Sequence, residues 1–148
     1  MDDDEYFMNL AINEAKIAAL KDEVPIGAVL IDEDGFILSK SHNLVNTLKD
    51  PTAHAEILAI REAAKIFGLR LTSSTLYVTM EPCTMCAGAL VLARIRRLVY
   101  AVPSPYGAAE SLFNVTNNKN LNHQIEVTAG CLEQEAKDIL KVFFSSKR

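Results

Sequence analysis

Apolar side chains recur over the first twenty residues at Phe7, Leu10, Ala11, Ile17, Ala18 and Leu20, behind a run of acids. That spacing predicts an amphipathic helix over residues 5–20, with its acids where the helix dipole favours them. Residues 26–31 (IGAVLI) are a short apolar run behind Pro25 and predict a buried strand. Residues 32–35 (DEDG) read as a hairpin turn, since Gly35 tolerates a positive φ, and residues 36–38 start the returning strand. Polar residues from Ser41 to Pro51 read as a loop. The next helix is expected from about Thr52 to Phe67, stopped by Gly68, with Ile57, Leu58, Ile60, Ala64 and Ile66 largely buried. Residues 75–80 (TLYVTM) alternate as a strand, which Glu81 and Pro82 break. The following helix, from Cys83 through Ala93, is apolar almost all round, so it needs cover on more than one side, from the core or from a second subunit. Residues 97–102 predict another strand, 103–124 a loop with a short turn near 111–114, and 125–128 an edge strand. A last helix is expected from about Leu132 to Phe144.

A hairpin followed by strand–helix alternation implies an α/β fold, a three-layer α/β/α sandwich around a mixed sheet of about five strands. No repeat, low-complexity tract or linker divides the chain, so residues 1–148 are expected to form a single domain. Hydrophobic residues make 49 % and charged residues 23 %, which excludes wholesale disorder. No apolar run reaches the ~18 residues of a membrane span. The first five residues (MDDDE) are acidic, unlike a secretory signal, and a cytoplasmic location without membrane contact is the expectation. A net charge of −4 argues weakly against nucleic-acid binding. Four of the acids crowd into the first five residues, however, while Arg94, Arg96 and Arg97 and the basic end at Lys147 and Arg148 leave room for a local positive face.

The three cysteines, Cys83, Cys86 and Cys131, are an odd number and do not suggest a disulfide framework. Cys83 and Cys86 are one helical turn apart, so their sulfurs share a side. Both lie near a helix start, where free N–H groups favour the thiolate that binds zinc. Pro82 suits such an entry. His54, from the first turn of the earlier helix, adds a nitrogen. Two thiolates and one imidazole leave a tetrahedral Zn2+ one open position, the arrangement of a catalytic site. Glu56 lies two residues on, roughly 200° round a helix of 3.6-residue period, so it lines the pocket as an acid/base and does not share the ion. A Cys-x-x-Cys pair by itself also fits a redox pair, or a structural zinc with Cys131 or His42 as fourth ligand. His-x-Glu together with Pro-Cys-x-x-Cys is far more specific, and it is the known signature of zinc nucleobase deaminases.

Residues 50–57 (DPTAHAEI), 76–83 (LYVTMEPC) and 85–89 (MCAGA) resemble the bacterial tRNA-specific adenosine deaminase family, as do 24–29 (VPIGAV), 121–123 (LNH) and the Phe143–Phe144 pair. The likeness runs from about Glu5 to Arg148. It implies a cytidine-deaminase-like fold, a homodimer, and conversion of adenosine to inosine at the wobble position of a tRNA anticodon loop. By that resemblance His54, Cys83 and Cys86 hold zinc and Glu56 shuttles protons. Asn43 is similar to the residue that hydrogen-bonds the extruded base, Val24 and Pro25 line its pocket, and Ala55 contributes backbone contacts. Phe143, Phe144 and the basic end resemble the part that touches the anticodon loop. One departure stands out. The family carries an acid and then a lysine after the strand at 98–102, in a loop that contacts RNA backbone. Residues 102–106 here read VPSPY, one residue shorter before Gly107, with Ser104 at the acidic position. Two other functions share these motifs: a deaminase of free guanine or cytosine, and a non-catalytic RNA-binding protein with structural zinc.

Overall fold

The computed structural model describes residues 3–147. Its ten elements are α1 (Asp3–Leu20), β1 (Gly27–Ile31), β2 (Ile37–His42), α2 (Val45–Leu48), α3 (Ala55–Phe67), β3 (Thr75–Met80), α4 (Thr84–Leu92), β4 (Arg97–Val102), β5 (Glu126–Ala129) and α5 (Glu133–Ser145). The sheet order is β2-β1-β3-β4-β5. β1 runs antiparallel to β2 and β3, and β3, β4 and β5 run parallel. This is the expected α/β/α sandwich on a five-stranded mixed sheet.

Alternation along the strands divides the core. Ala28, Leu30, Leu76, Val78, Leu98 and Tyr100 face α3 and α4, where they meet Ala59, Ala63 and Leu90. Val29, Ile31, Tyr77, Val99 and Ala101 face α1 and α5, where they meet Met8, Ile12 and Leu140. With helices on both faces, β1 is buried along its whole length and β3 nearly so, in place of the in-out alternation expected for residues 75–80. At the hairpin, Gly35 has φ +88° and the Asp32 carboxylate accepts the N–H groups of Asp34 and Phe36.

Four local expectations change. The polar stretch after β2 is not all loop. β2 reaches His42, and α2 forms because the Glu23 carboxylate accepts the N–H groups of Asn46 (3.0 Å) and Thr47 (2.6 Å) from 23 and 24 residues away. The helix expected from Thr52 starts at Ala55, because Asp50 accepts the Thr52 N–H and hydroxyl and closes a turn there. The buried stripe of α3 is Ala55, Glu56, Ala59 and Ala63, and the small side chains of the three alanines let the helix lie close on the sheet. Ile57, Leu58, Ile60 and Ala64 flank it half-buried, and Ile66 is exposed. On α1 the buried face is Phe7, Met8, Ala11, Ile12, Ala15 and Ala18, while Ile17 and Leu20 lie off it.

The register places the functional residues. Ala28 pairs with Val78 antiparallel, so the chain entering β1 lies at the same end of the sheet as the C-terminal end of β3. That end of β3 leads through Glu81 and Pro82 into α4. It is the end at which ligands sit in sheets with parallel strands.

Candidate active site

Cys83 is the N-cap of α4, with φ −73° and ψ 177°, and Cys86 is buried one turn on. His54 is the N-cap of α3, with φ −73° and ψ 153°. Both ligand-bearing residues 54 and 83 therefore stand just ahead of their helices, where the sequence pattern put them in the first turns. Extended backbone at His54 removes the 200° separation that an unbroken helix would impose between it and Glu56. Imidazole and carboxylate come to the same site.

The His54 Nδ1 lies 3.6 Å from the Cys83 Sγ and 3.4 Å from the Cys86 Sγ. All three donor atoms lie within 4.8 Å of one another. Ligands of one tetrahedral zinc, with Zn–S near 2.3 Å and Zn–N near 2.0 Å, stand about 3.5 Å apart, so the cluster fits the ion. Among the described residues this group contains three side chains and no fourth. His42 is engaged elsewhere, with Glu14 and Lys21, and Cys131 packs on the opposite face of the sheet.

Electrostatics mark the same place. Hydrogen bonds from Cys86 and then His54 hold the Cys83 thiol down to about 3. The adjacent Cys83 thiolate, with burial, pushes Cys86 strongly up. The hydrogen bond to Cys83 raises His54. Without a cation, then, one sulfur ionises at the expense of the other; a divalent ion lets both bind as thiolates. Glu56 is 4 % exposed, and burial pushes its carboxyl up to about 7, against the lowering effects of its own N–H and of His54. Cys86 also hydrogen-bonds it. A carboxyl that titrates near neutrality beside a metal cluster is suited to moving protons.

A cavity of about 280 Å³ opens against these residues, lined by Glu23, Val24, Asn43, Asn46, His54 and Ala55 among others. The Asn43 amide donates to the Val24 carbonyl (3.3 Å), and its oxygen accepts the Val45 N–H (3.2 Å). The structure thus brings His54, Ala55, Val24 and Asn43 together. Pro25 is buried and is not part of the lining. Phe143 and Phe144 pack edge to face on α5, with ring centroids 5.3 Å apart. Phe143 lines a separate groove with Ala19 and Val142, and Phe144 is half-exposed. Arg148 lies outside the described residues. The arginine cluster is committed to the fold: Arg97 pairs with Asp4, Arg96 bonds Thr75, and Arg94 bonds Asn122.

Residues 1–102 match the cytidine and deoxycytidylate deaminase zinc-binding region, a span that holds the whole metal cluster and Glu56. A tRNA-specific adenosine deaminase of Bacillus subtilis (strain 168) is 47 % identical over 100 % of this chain and 92 % of its own. The chain belongs to the tRNA-specific adenosine deaminase family. A solved structure from work on A-to-I editing by tRNA:A34 deaminases at the wobble position of transfer RNA superposes with a TM-score of 0.87. It is 47 % identical, covering 91 % of this chain and 99 % of that one. A guanine deaminase from Nitrosomonas europaea superposes with a TM-score of 0.83 at 26 % identity, over 95 % of this chain and 84 % of its own. The cofactor of this deaminase is zinc.

Two buried acids of the deaminase escaped the sequence reading. Glu23 lines the cavity and takes three hydrogen bonds from Asn46 and Thr47. Glu81, beside the metal helix, takes five from residues 104–111. In both cases burial is outweighed by hydrogen bonds and the carboxyl is held below its usual range. Their one sequence signal is an acid adjoining an apolar segment next to proline, as in Glu23-Val24-Pro25 and Glu81-Pro82.

Proposed function

We propose that this enzyme hydrolyses adenosine to inosine at the wobble position of a tRNA anticodon, with zinc on His54, Cys83 and Cys86 and with Glu56 as proton carrier. The observation that carries the reading is Glu56 itself, a buried carboxyl poised near neutrality against an open three-ligand cluster. Zinc bound there supplies Lewis acidity, which makes water a nucleophile at neutral pH.

The chain's own groups account for the rest. The cavity takes one base, and an unpaired loop nucleotide leaves its stack at small cost. Asn43 holds the edge of that base, Val24 shapes the apolar wall, and the backbone at Ala55 fixes its depth. Glu56 accepts a proton from the attacking water and passes it to N1 while oxygen bonds to C6. It then takes the proton of the new C6 hydroxyl and delivers it to the amino group, the C6–N bond breaks as the C6 carbonyl forms, and ammonia leaves. Atoms balance as adenosine plus water to inosine plus ammonia. Phe143, Phe144 and the basic end form a second contact with the anticodon loop.

The outer face of α4 supports a homodimer. Met85 and Leu92 are exposed, and with Ile57, Val115 and Leu121 they line an apolar groove of about 640 Å³ that a second copy would cover. A tRNA substrate supports a cytoplasmic location. Among the described residues no helix is long and apolar enough to cross a membrane. Residues 1–148 act as one domain.

A free-base deaminase is the second reading, favoured by the structural likeness to guanine deaminase. Identity of 47 % over the full chain to tRNA-specific relatives, against 39 % over 77 % of the chain to a guanine deaminase from Bacillus subtilis, supports the first. Replacing Glu56 by Ala tests it. The variant should keep one zinc per chain and lose at least about 10²-fold in inosine formation on tRNA. Full activity in Glu56→Ala would end the proposal.

A further inference from the structure

Glu23 takes no part in the chemistry above, yet it is fully buried and lines the cavity beside His54. One of its oxygens accepts the Asn46 N–H at 3.0 Å. The other accepts the Thr47 N–H (2.6 Å) and the Thr47 hydroxyl (2.7 Å). Leu44 is the N-cap of α2, so Asn46 and Thr47 are the second and third residues of that helix. Their N–H groups are the ones a capping side chain ordinarily takes. Leu44 makes no such bond, and the cap comes instead from Glu23, far upstream in the chain. Packing does not replace it, because none of the four residues of α2 is buried. So short a helix does not hold itself together in water. The Glu23 carboxylate therefore decides where the first turn of α2 lies.

Asn43 is held between the two segments that this carboxylate joins. Its amide oxygen accepts the N–H of Val45, the first residue of α2, at 3.2 Å. Its NH2 group donates at 3.3 Å to the carbonyl of Val24, the residue after Glu23. An amide presents a donor at one end and an acceptor at the other, so its orientation decides which base edge it can pair with. Val45 and Asn46 line the same cavity as Asn43. A displaced α2 would free the Asn43 oxygen and move part of the wall. The metal ligands stand at the starts of α3 and α4 and have no bond to Glu23.

We propose that Glu23 is a positioning residue, which caps α2 from outside that helix and so sets the orientation of the Asn43 amide and the fit of the target base. The proposal rests on the deaminase reading above, in which Asn43 holds the base edge. A carboxylate that bonded the base itself would act without α2. One that only stabilised the fold would act without Asn43.

The test uses the zinc-loaded full chain and a tRNA carrying adenosine at the wobble position. Glu23→Gln keeps the size but turns an NH2 group towards N–H donors. Leu44→Asp gives α2 a cap of its own and returns no carboxylate to the Glu23 position; alone it should leave kcat/KM within about twofold. Glu23→Gln should lower kcat/KM about tenfold, the scale of one lost helix cap, with zinc still stoichiometric. Adding Leu44→Asp to it should recover most of that loss. In nitrogen–proton correlation spectra the Asn43 NH2 pair, identified by its loss in Asn43→Ala, should shift in Glu23→Gln and return in the double variant. No recovery on adding Leu44→Asp means that Glu23 meets the base directly, which overturns the proposal. A lowered Tm with kcat/KM and the Asn43 pair unmoved means a fold-stabilising carboxylate only, and overturns it as well. If Glu23→Gln fails to fold, Thr47→Val removes one of the three bonds and should lower kcat/KM about threefold. An unmoved Asn43 pair and unmoved kcat/KM in that variant are equally fatal. Inosine formation by the wild type tests the underlying reading separately. An inactive wild type sinks both ideas, whereas an active wild type with any of these contrary results sinks this one alone.

Discussion

Glu56 and Cys86 owe their behaviour to what surrounds one buried spot. Burial pushes the carboxyl up towards neutrality, and a cation is what allows two adjacent sulfurs to ionise together. Removing one ligand should therefore release the metal. Cys86→Ala is expected to weaken zinc binding by more than about 100-fold, beyond the effect of losing a ligand's own hydrogen-bond partner. Stoichiometry by metal analysis after dialysis against a chelator checks it, and retention of full zinc would show that the metal sits elsewhere. Asp4 shows the opposite case. The hydrogen bonds from Arg97 (2.8 and 2.7 Å) hold its carboxyl below 3.8, and the Tyr77 hydroxyl (2.8 Å) adds to them. A depressed carboxylate stabilises the fold above pH 3.8 and loses that contribution as pH falls through its lower folded value. Asp4→Asn should cost on the order of 2 kcal/mol at pH 7, as a charged hydrogen bond does. Urea unfolding of both proteins should show the gap closing in acid.

At the scale of elements, packing distance decides more than hydrophobicity does. α3 lies on the sheet through Ala55, Ala59 and Ala63, all fully buried, and its larger residues are displaced to the flanks. Ala59→Leu should destabilise by about 1–3 kcal/mol through overpacking. An unchanged unfolding midpoint would mean that α3 is not seated as described. This stripe also shows what the sequence could and could not reveal. Strands at 75–80 and 97–102 were legible to the residue, because apolar runs bounded by breakers are local signals. The start of α3 and the existence of α2 were not, because they depend on Asp50 and on Glu23, the latter more than twenty residues away. The metal cluster was legible because its ligand spacing is local. Its caps were misplaced by one residue for α4 and by a few for α3, and the pairing of Glu81 with loop 103–111 has no local signature at all.

For the whole molecule, α4 leaves an apolar face exposed. Leu92 is 82 % exposed, beside Met85 on the same helix. In the proposed homodimer, Leu92→Asp should leave a folded chain whose dimer constant is weakened by at least about tenfold, as burying an unpaired charge in an interface costs. A dimer of unchanged strength would move the interface to another face. The central claim is that a His54–Cys83–Cys86 zinc centre serves a nucleotide in an RNA loop. It is tested most directly by incubating the zinc-loaded chain with an equimolar mixture of guanine, cytosine and a tRNA whose anticodon begins with adenosine, and locating inosine by position in the recovered tRNA. The account predicts inosine at the wobble adenosine and no consumption of either free base. Ammonia released from guanine or cytosine, with the wobble adenosine intact, would contradict it.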